Sequence, residues 1–230
     1  MKELLRLSKK LGVIFKDYDF LQQALVHRSY LNEHPDFKFS NNERLEFLGD
    51  AVLEIVVTEY LYLQFPNTPE GDLTNWRASL VNAKMLHIIA NELGVEDYLL
   101  LSKGEAKDKN TKARQYILAN AVEAIIGSIY LDQGLETAKK FILDRIVIKL
   151  DNILKNELYL DPKSKFQEMS QEKVGITPTY KILKEDGPDH EKIFTVGLCL
   201  QEELIATGTG SSKQEAQVDA AINGLKAKGW

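Results

Sequence analysis

Three carboxylates, Glu43, Glu46 and Asp50, stand three and four residues apart in the run Asn42-Glu-Arg-Leu-Glu-Phe-Leu-Gly-Asp-Ala-Val-Leu53. On an α-helix, at about 100° per residue, all three fall within an arc of roughly 60°. Leu45, Phe47, Leu48, Ala51, Val52, Leu53, Ile55, Val56 and Val57 fill the rest of the wheel. The pattern therefore predicts a buried helix whose acidic stripe has little water around it. Buried carboxylates are costly unless they are paired or ligate a cation. A second run, Ile117 to Leu131, is also apolar on almost every side and sets Asn120 and Glu123 one turn apart. One such residue on a core helix is commonly a satisfied hydrogen bonder, but two facing stripes point to a metal site. Oxygen-only ligands favour Mg²⁺ or Mn²⁺ over zinc. Such a cation lowers the pKa of bound water and stabilises charge on a phosphoryl oxygen.

The elements that must position these groups are helical from Leu4 to about Leu154. Phe20–Val26, Leu73–Val81, Leu86–Leu93 and Ile117–Leu131 have helical spacing. Breaks are expected at Asn32–Pro35, at Phe65–Gly71 and across the polar segment Gly104–Lys112. Ser40 or Asn41 can cap the helix with the acidic stripe. The pattern then changes near Asn156. Asp161-Pro162 reads as an N-cap followed by proline at the first helical position, with Gly175 ending that helix. Strands are expected at Thr179–Leu183, Lys192–Leu200 and Glu203–Gly208, with a turn at Glu185–Asp189. Ser212-Lys-Gln-Glu215 reads as a capping box opening a last helix. The fold class is an all-α domain at 1–155, a linker at 156–160, and a small α+β domain of order α-β-β-β-α at 161–230.

The chain of 230 residues suits such a division, and its 44% apolar and 27% charged residues are an ordinary balance. The net charge of −5 argues mildly against a generally basic nucleic-acid binder. Residues 161–230 hold 9 Lys and Arg against 11 Asp and Glu, so a nucleic-acid footprint would be a local patch. No apolar run approaches the roughly 18 residues of a membrane span, and the start lacks a secretory layout, so a cytoplasmic protein is expected. The single cysteine, Cys199, excludes an internal disulfide and a thiolate zinc cluster. In its apolar surroundings it reads as an inert buried thiol.

The run around Glu46 resembles the signature of the ribonuclease III family, endonucleases that cut double-stranded RNA with divalent metal. Ala24-Leu-Val-His-Arg-Ser-Tyr30 and Arg77-Ala-Ser-Leu-Val-Asn82 follow the same pattern, and the α-β-β-β-α segment resembles the double-stranded-RNA-binding domain. His27 by itself reads as a hydrogen-bonded core residue. The resemblance implies Glu46, Asp50 and Glu123 as metal-binding, catalytic carboxylates, with Glu43 and Glu70 as supporting acidic positions. It implies Phe47 as an apolar knob entering a socket of the partner in a homodimer. Where the family usually has an aspartate this chain has Asn120, which can still ligate Mg²⁺ (or Mn²⁺) through its amide oxygen without adding charge.

In the C-terminal domain the resemblance points to Gln167, Glu168, His190, Ser212 and Lys213 as RNA-binding positions. Duplex RNA is read there by shape, through phosphate and 2′-hydroxyl contacts. The implied activity leaves 5′-phosphate and 3′-hydroxyl ends, in processing of ribosomal, messenger and small RNA, with no membrane and no small organic cofactor involved. One alternative is a non-cleaving duplex-RNA-binding protein impaired at Asn120. A helical metal-storage protein is a second, but it would leave the C-terminal domain unexplained and lacks a Glu-x-x-His pair.

Overall fold

The structure is a computed structural model that describes residues 1–109, 111–188 and 192–230. The chain divides into two compact units, Met1–Tyr159 and Leu160–Trp230. In the first, α1 is Lys2–Leu11, α2 Tyr18–Ala24, α3 Arg28–Glu33, α4 Glu43–Gln64 and α5 Glu70–Val81. Next come α6 at Ala83–Leu93, α7 at Lys103–Lys107, α8 at Lys112–Gln133, α9 at Leu135–Arg145 and α10 at Leu150–Lys155.

Helix α8 is the axle of this unit. Leu118, Ala121, Val122, Ile125, Ile126 and Ile129 are all buried on it, and α2, α4, α6 and α9 pack around it. Burying such side chains contributes about 1.5–3 kcal/mol each, which outweighs the modest helix propensity of isoleucine and valine. Asn82 ends α5 and caps α6, its Oδ1 accepting from the Met85 amide at 2.9 Å. Asp132, at the end of α8, accepts from the amides of Lys16 and Asp17 at 2.8 Å each, which fastens the α1–α2 loop.

Three details differ from the sequence expectations. The N-cap of α4 is Asn42, whose side chain instead donates to the Ala24 carbonyl at 3.2 Å. Neighbouring Asn41 takes the capping role, its Oδ1 accepting from the Glu43 amide at 3.3 Å. The segment expected as a polar break holds the short α7, started by the Ser102 hydroxyl accepting from the Glu105 amide. Lastly, α4 is not buried all round. Phe47 is 80% exposed and Ile55 59%, and Ala51 and Tyr62 are exposed with them. The buried side chains are Leu45, Val52, Leu53, Val56, Val57 and Leu61. An acidic stripe thus runs along the seam between a buried face and an exposed apolar one.

The second unit is α11 at Pro162–Val174, an antiparallel sheet of β1 Thr179–Asp186, β2 Ile193–Leu200 and β3 Glu203–Gly210, and α12 at Lys213–Lys228. The strand order is β1-β2-β3. β1 and β3 run three and two residues longer than the sequence pattern marks, through Asp186 and Gly210, while β2 begins one residue later than expected. Asp161 caps α11 and Gly175 ends it at φ 68°, as the Pro and Gly punctuation predicts. The core of this unit is Phe166, Leu198, Leu200, Ala220 and Ala221. Cys199 is buried and free.

Candidate active site

The two acidic helices meet backbone to backbone. A Cβ on Gly49 of α4 would lie 1.7 Å from the Glu123 carbonyl oxygen, and one on Gly127 of α8 would lie 2.3 Å from the Leu45 carbonyl oxygen. Only glycine permits this crossing, since any side chain at either position would hold the axes apart. The consequence is placement: Glu46 and Asp50 on α4 come opposite Asn120 and Glu123 on α8. These glycines were present in both runs, but nothing in the spacing marks them as contact points.

The carboxylates act on one another. Burial, then the charges of Asp50 and Glu46, push the Glu123 carboxyl up to about 8 from 4.5. Glu46 is raised by burial and by Glu43 and Asp50, while a hydrogen bond from Asn120 works in the other direction. Glu43 and Asp50 are exposed, and Glu46, Asn120 and Glu123 are half-buried. The stripe is therefore wetter in the single chain than its apolar neighbours suggest, because the face bearing Phe47 is uncovered.

Among the described residues, no three Asp, Glu, His or Cys side chains are already gathered as metal ligands. The donor set nonetheless suits a hard cation. It is all oxygen, it carries three mutually repelling carboxylates, and among the described residues no cation offsets the rise that burial, Asp50 and Glu46 impose on Glu123.

Glu46 and Asn120 also border a cleft of about 690 Å³ that extends to the start of α3. His27 lines it, and so do Arg28, Ser29, Asn32, Glu43, Glu105 and Tyr116. His27 is thus not a core residue. It is half-buried and caps α3, its Nδ1 accepting from the Ser29 amide at 3.3 Å. Burial holds its pKa below the ordinary histidine value, against the pull of Glu105. Arg28 lies 3.7 Å from Glu43, and Asn41 donates to Glu43 at 3.1 Å.

Glu70 is not brought to this cleft. It begins α5, accepts from the Thr74 hydroxyl at 2.9 Å, and lines a separate pocket of about 240 Å³ with Thr58, Leu61, Tyr62, Leu73 and Arg77.

In the second unit Gln167 and Glu168 are exposed on α11, and Ser212 and Lys213 are exposed at the start of α12. Ser212 caps α12 through the Glu215 amide, but Glu215 reaches back to the amide of Ser211, at 3.0 Å, one residue earlier than in a regular capping box. Lys213 lies 3.7 Å from Glu185 and over the Phe194 ring, so part of its charge is already engaged. His190 lies outside the described residues.

Comparison with known proteins adds to this geometry. Residues 17–150 match the family described as ribonuclease-III-like, and residues 162–227 match the double-stranded RNA binding motif. Ribonuclease 3 of Enterococcus faecalis is 44% identical over 96% of this chain and 95% of its own length. Ribonuclease 3 of Nitratiruptor sp. is 43% identical over 98% of this chain and 97% of its own. A structure of the nuclease domain of ribonuclease III from Campylobacter jejuni, described for flexibility in a region involved in dimer formation, covers 61% of this chain and 93% of that one. It has 45% identity and a TM-score of 0.54.

Proposed function

The chain belongs to the ribonuclease III family, and from that premise we propose that Glu46, Asp50 and Glu123, with Asn120 as a neutral oxygen donor, hold Mg²⁺ for hydrolysis of duplex RNA. The protein is an endoribonuclease acting on double-stranded RNA. The observation that carries the residue assignment is the glycine crossing of α4 and α8, which sets two acidic stripes face to face. When bound, the cation supplies charge stabilisation at a phosphoryl oxygen and a more acidic water; Mn²⁺ would serve similarly. The chain's own groups do the rest. Asn120 favours the charged form of the Glu46 carboxylate, and the Arg28–Glu43 pair stands at the same cleft wall. The products of this reading carry 5′-phosphate and 3′-hydroxyl ends, and RNA processing in the cytoplasm is the setting it implies.

The working unit in this reading is a homodimer. Phe47 is the most exposed apolar side chain on α4, and the pocket at Leu61, Tyr62 and Leu73 is the concavity that suits it on a second copy. Glu70 lines that pocket, so pairing would bring each copy's Glu70 toward the other's acidic stripe. This accounts for its distance from the cleft in one chain. The second unit supplies duplex binding through Gln167, Glu168, Ser212 and Lys213, with His190 as a further position.

Cleavage of long duplex RNA with Mg²⁺, and then with Mn²⁺, tests the activity against the non-cleaving alternative. Glu123→Gln keeps size and hydrogen bonding while removing a charge. It should lower cleavage by about 100-fold or more, with duplex affinity largely kept. Near-normal turnover by this variant would sink the assigned site.

A further inference from the structure

The cleft beside Glu46 ends in a histidine whose protonation form is set by its neighbours. The Ser102 amide donates to the Ser29 hydroxyl at 3.1 Å, and that hydroxyl lies 2.8 Å from His27 Nδ1. The Ser29 amide also donates to Nδ1. An Nδ1 that accepts from an amide N–H carries no hydrogen of its own, so the Ser29 hydroxyl turns its hydrogen toward the ring. Nδ1 is therefore an acceptor, and the ring proton sits on Nε2. Among the described residues Nε2 makes no hydrogen bond. The ring is a neutral, fixed donor on the wall of the cleft that holds Glu46 and Asn120.

The chemistry around that donor selects what it can meet. Glu43 and Glu105 line the same cleft, and both act electrostatically on His27. A phosphate there would face three lining carboxylates, Glu43, Glu46 and Glu105, against one lining arginine, Arg28, which already stands 3.7 Å from Glu43. A hydroxyl carries no charge, accepts from Nε2–H and can donate to a carboxylate. On a nucleic acid, the sugar hydroxyl that separates RNA from DNA is the 2′-hydroxyl.

Building on the function proposed above, we propose that His27 donates from Nε2 to a ribose 2′-hydroxyl of the strand lying in the cleft, and so takes part in choosing RNA over DNA. Its place at the start of α3, braced by Ser29 and Ser102, is what aims the ring. The role is one of substrate recognition rather than of proton transfer.

Two substitutions separate this role from helix capping. His27→Asn keeps a good capping oxygen for the Ser29 amide but lacks the reach of Nε2. His27→Gln loses the cap but extends an amide toward the Nε2 position. The full-length protein is assayed on a duplex RNA whose cut strand carries single 2′-deoxy substitutions, one position at a time, near the scissile bond.

The wild type should lose about fivefold in kcat/KM at one such position, the worth of one hydrogen bond. His27→Asn should melt with the wild type, cut the all-ribose duplex about fivefold more slowly, and show no further loss at that position. His27→Gln should retain much of the sensitivity. The proposal is overturned if His27→Asn keeps the full deoxy effect, or if it is normal while His27→Gln is impaired. The second result would make His27 a cap and nothing more. Failure of the wild type to cut the all-ribose duplex would instead remove the function on which the proposal rests.

Discussion

Glu123 binds its proton tightly because it is buried opposite Asp50 and Glu46, which lifts its pKa from 4.5 to about 8. Unfolding would return it to the ordinary value, so between those limits the folded chain binds more protons than the unfolded one. The stability this contributes is complete below the unfolded value and is lost as pH rises through the folded one. In chelator, the wild type should therefore lose about 2 kcal/mol between about pH 5 and pH 8 from this group, once solvent screening is allowed for. Glu123→Gln should flatten that slope, and thermal unfolding at stepped pH reads the difference. Parallel curves would take Glu123 out of the acidic cluster.

Asn120 tunes the same cluster. Its amide favours the charged form of Glu46, so Asn120→Asp exchanges a neutral group that helps that carboxylate ionise for a fourth negative charge. The expected result is a lower melting temperature without metal, a larger rise with Mg²⁺, and cleavage that saturates at lower Mg²⁺. A Mg²⁺ titration of melting and of initial rate on both proteins checks this. Coincident titrations would place Asn120 away from the cation.

At the scale of elements, the α4–α8 crossing has no side-chain layer to absorb change. Gly127→Ala would press a methyl group against the Leu45 carbonyl, where even the Cβ position is 2.3 Å away. The helices must separate, at a cost of about 3 kcal/mol or more, and the carboxylates separate with them. Urea unfolding should show the loss, and cleavage should fall further than stability alone explains. An unchanged midpoint would mean that the helices are not so closely apposed.

Which elements could be read in advance follows from how locally each is encoded. Helix α11 was legible to the residue, because Asp161-Pro162 and Gly175 punctuate both ends within the chain itself. Helix α7 was not, since Lys103-Gly-Glu-Ala-Lys107 has no apolar face and depends on its Ser102 cap. The acidic residues were legible as stripes. The glycine contact that brings the stripes together was not, because it is a relation between two distant segments. His27 misled for the same reason: a histidine in an apolar run resembles core until the cleft beside it is known.

At the scale of the whole molecule, the uncovered face of α4 makes a claim about concentration. Phe47 is 80% exposed, so Phe47→Asp should leave the fold of each chain unchanged. It should weaken self-association by about 100-fold or more if Phe47 anchors the interface. Sedimentation at stepped concentrations measures this, and an unaltered dimer would relocate the contact. Cleavage should follow the dimer population in both proteins.

Cys199 offers a different view of the two units. It is the chain's single cysteine, it lies on the central strand of the small sheet, and it is 5% exposed. A thiol reagent reaches it only when that sheet opens. The rate of labelling is thus a clock for the opening of that sheet. It allows the breathing of three strands to be timed inside the intact protein.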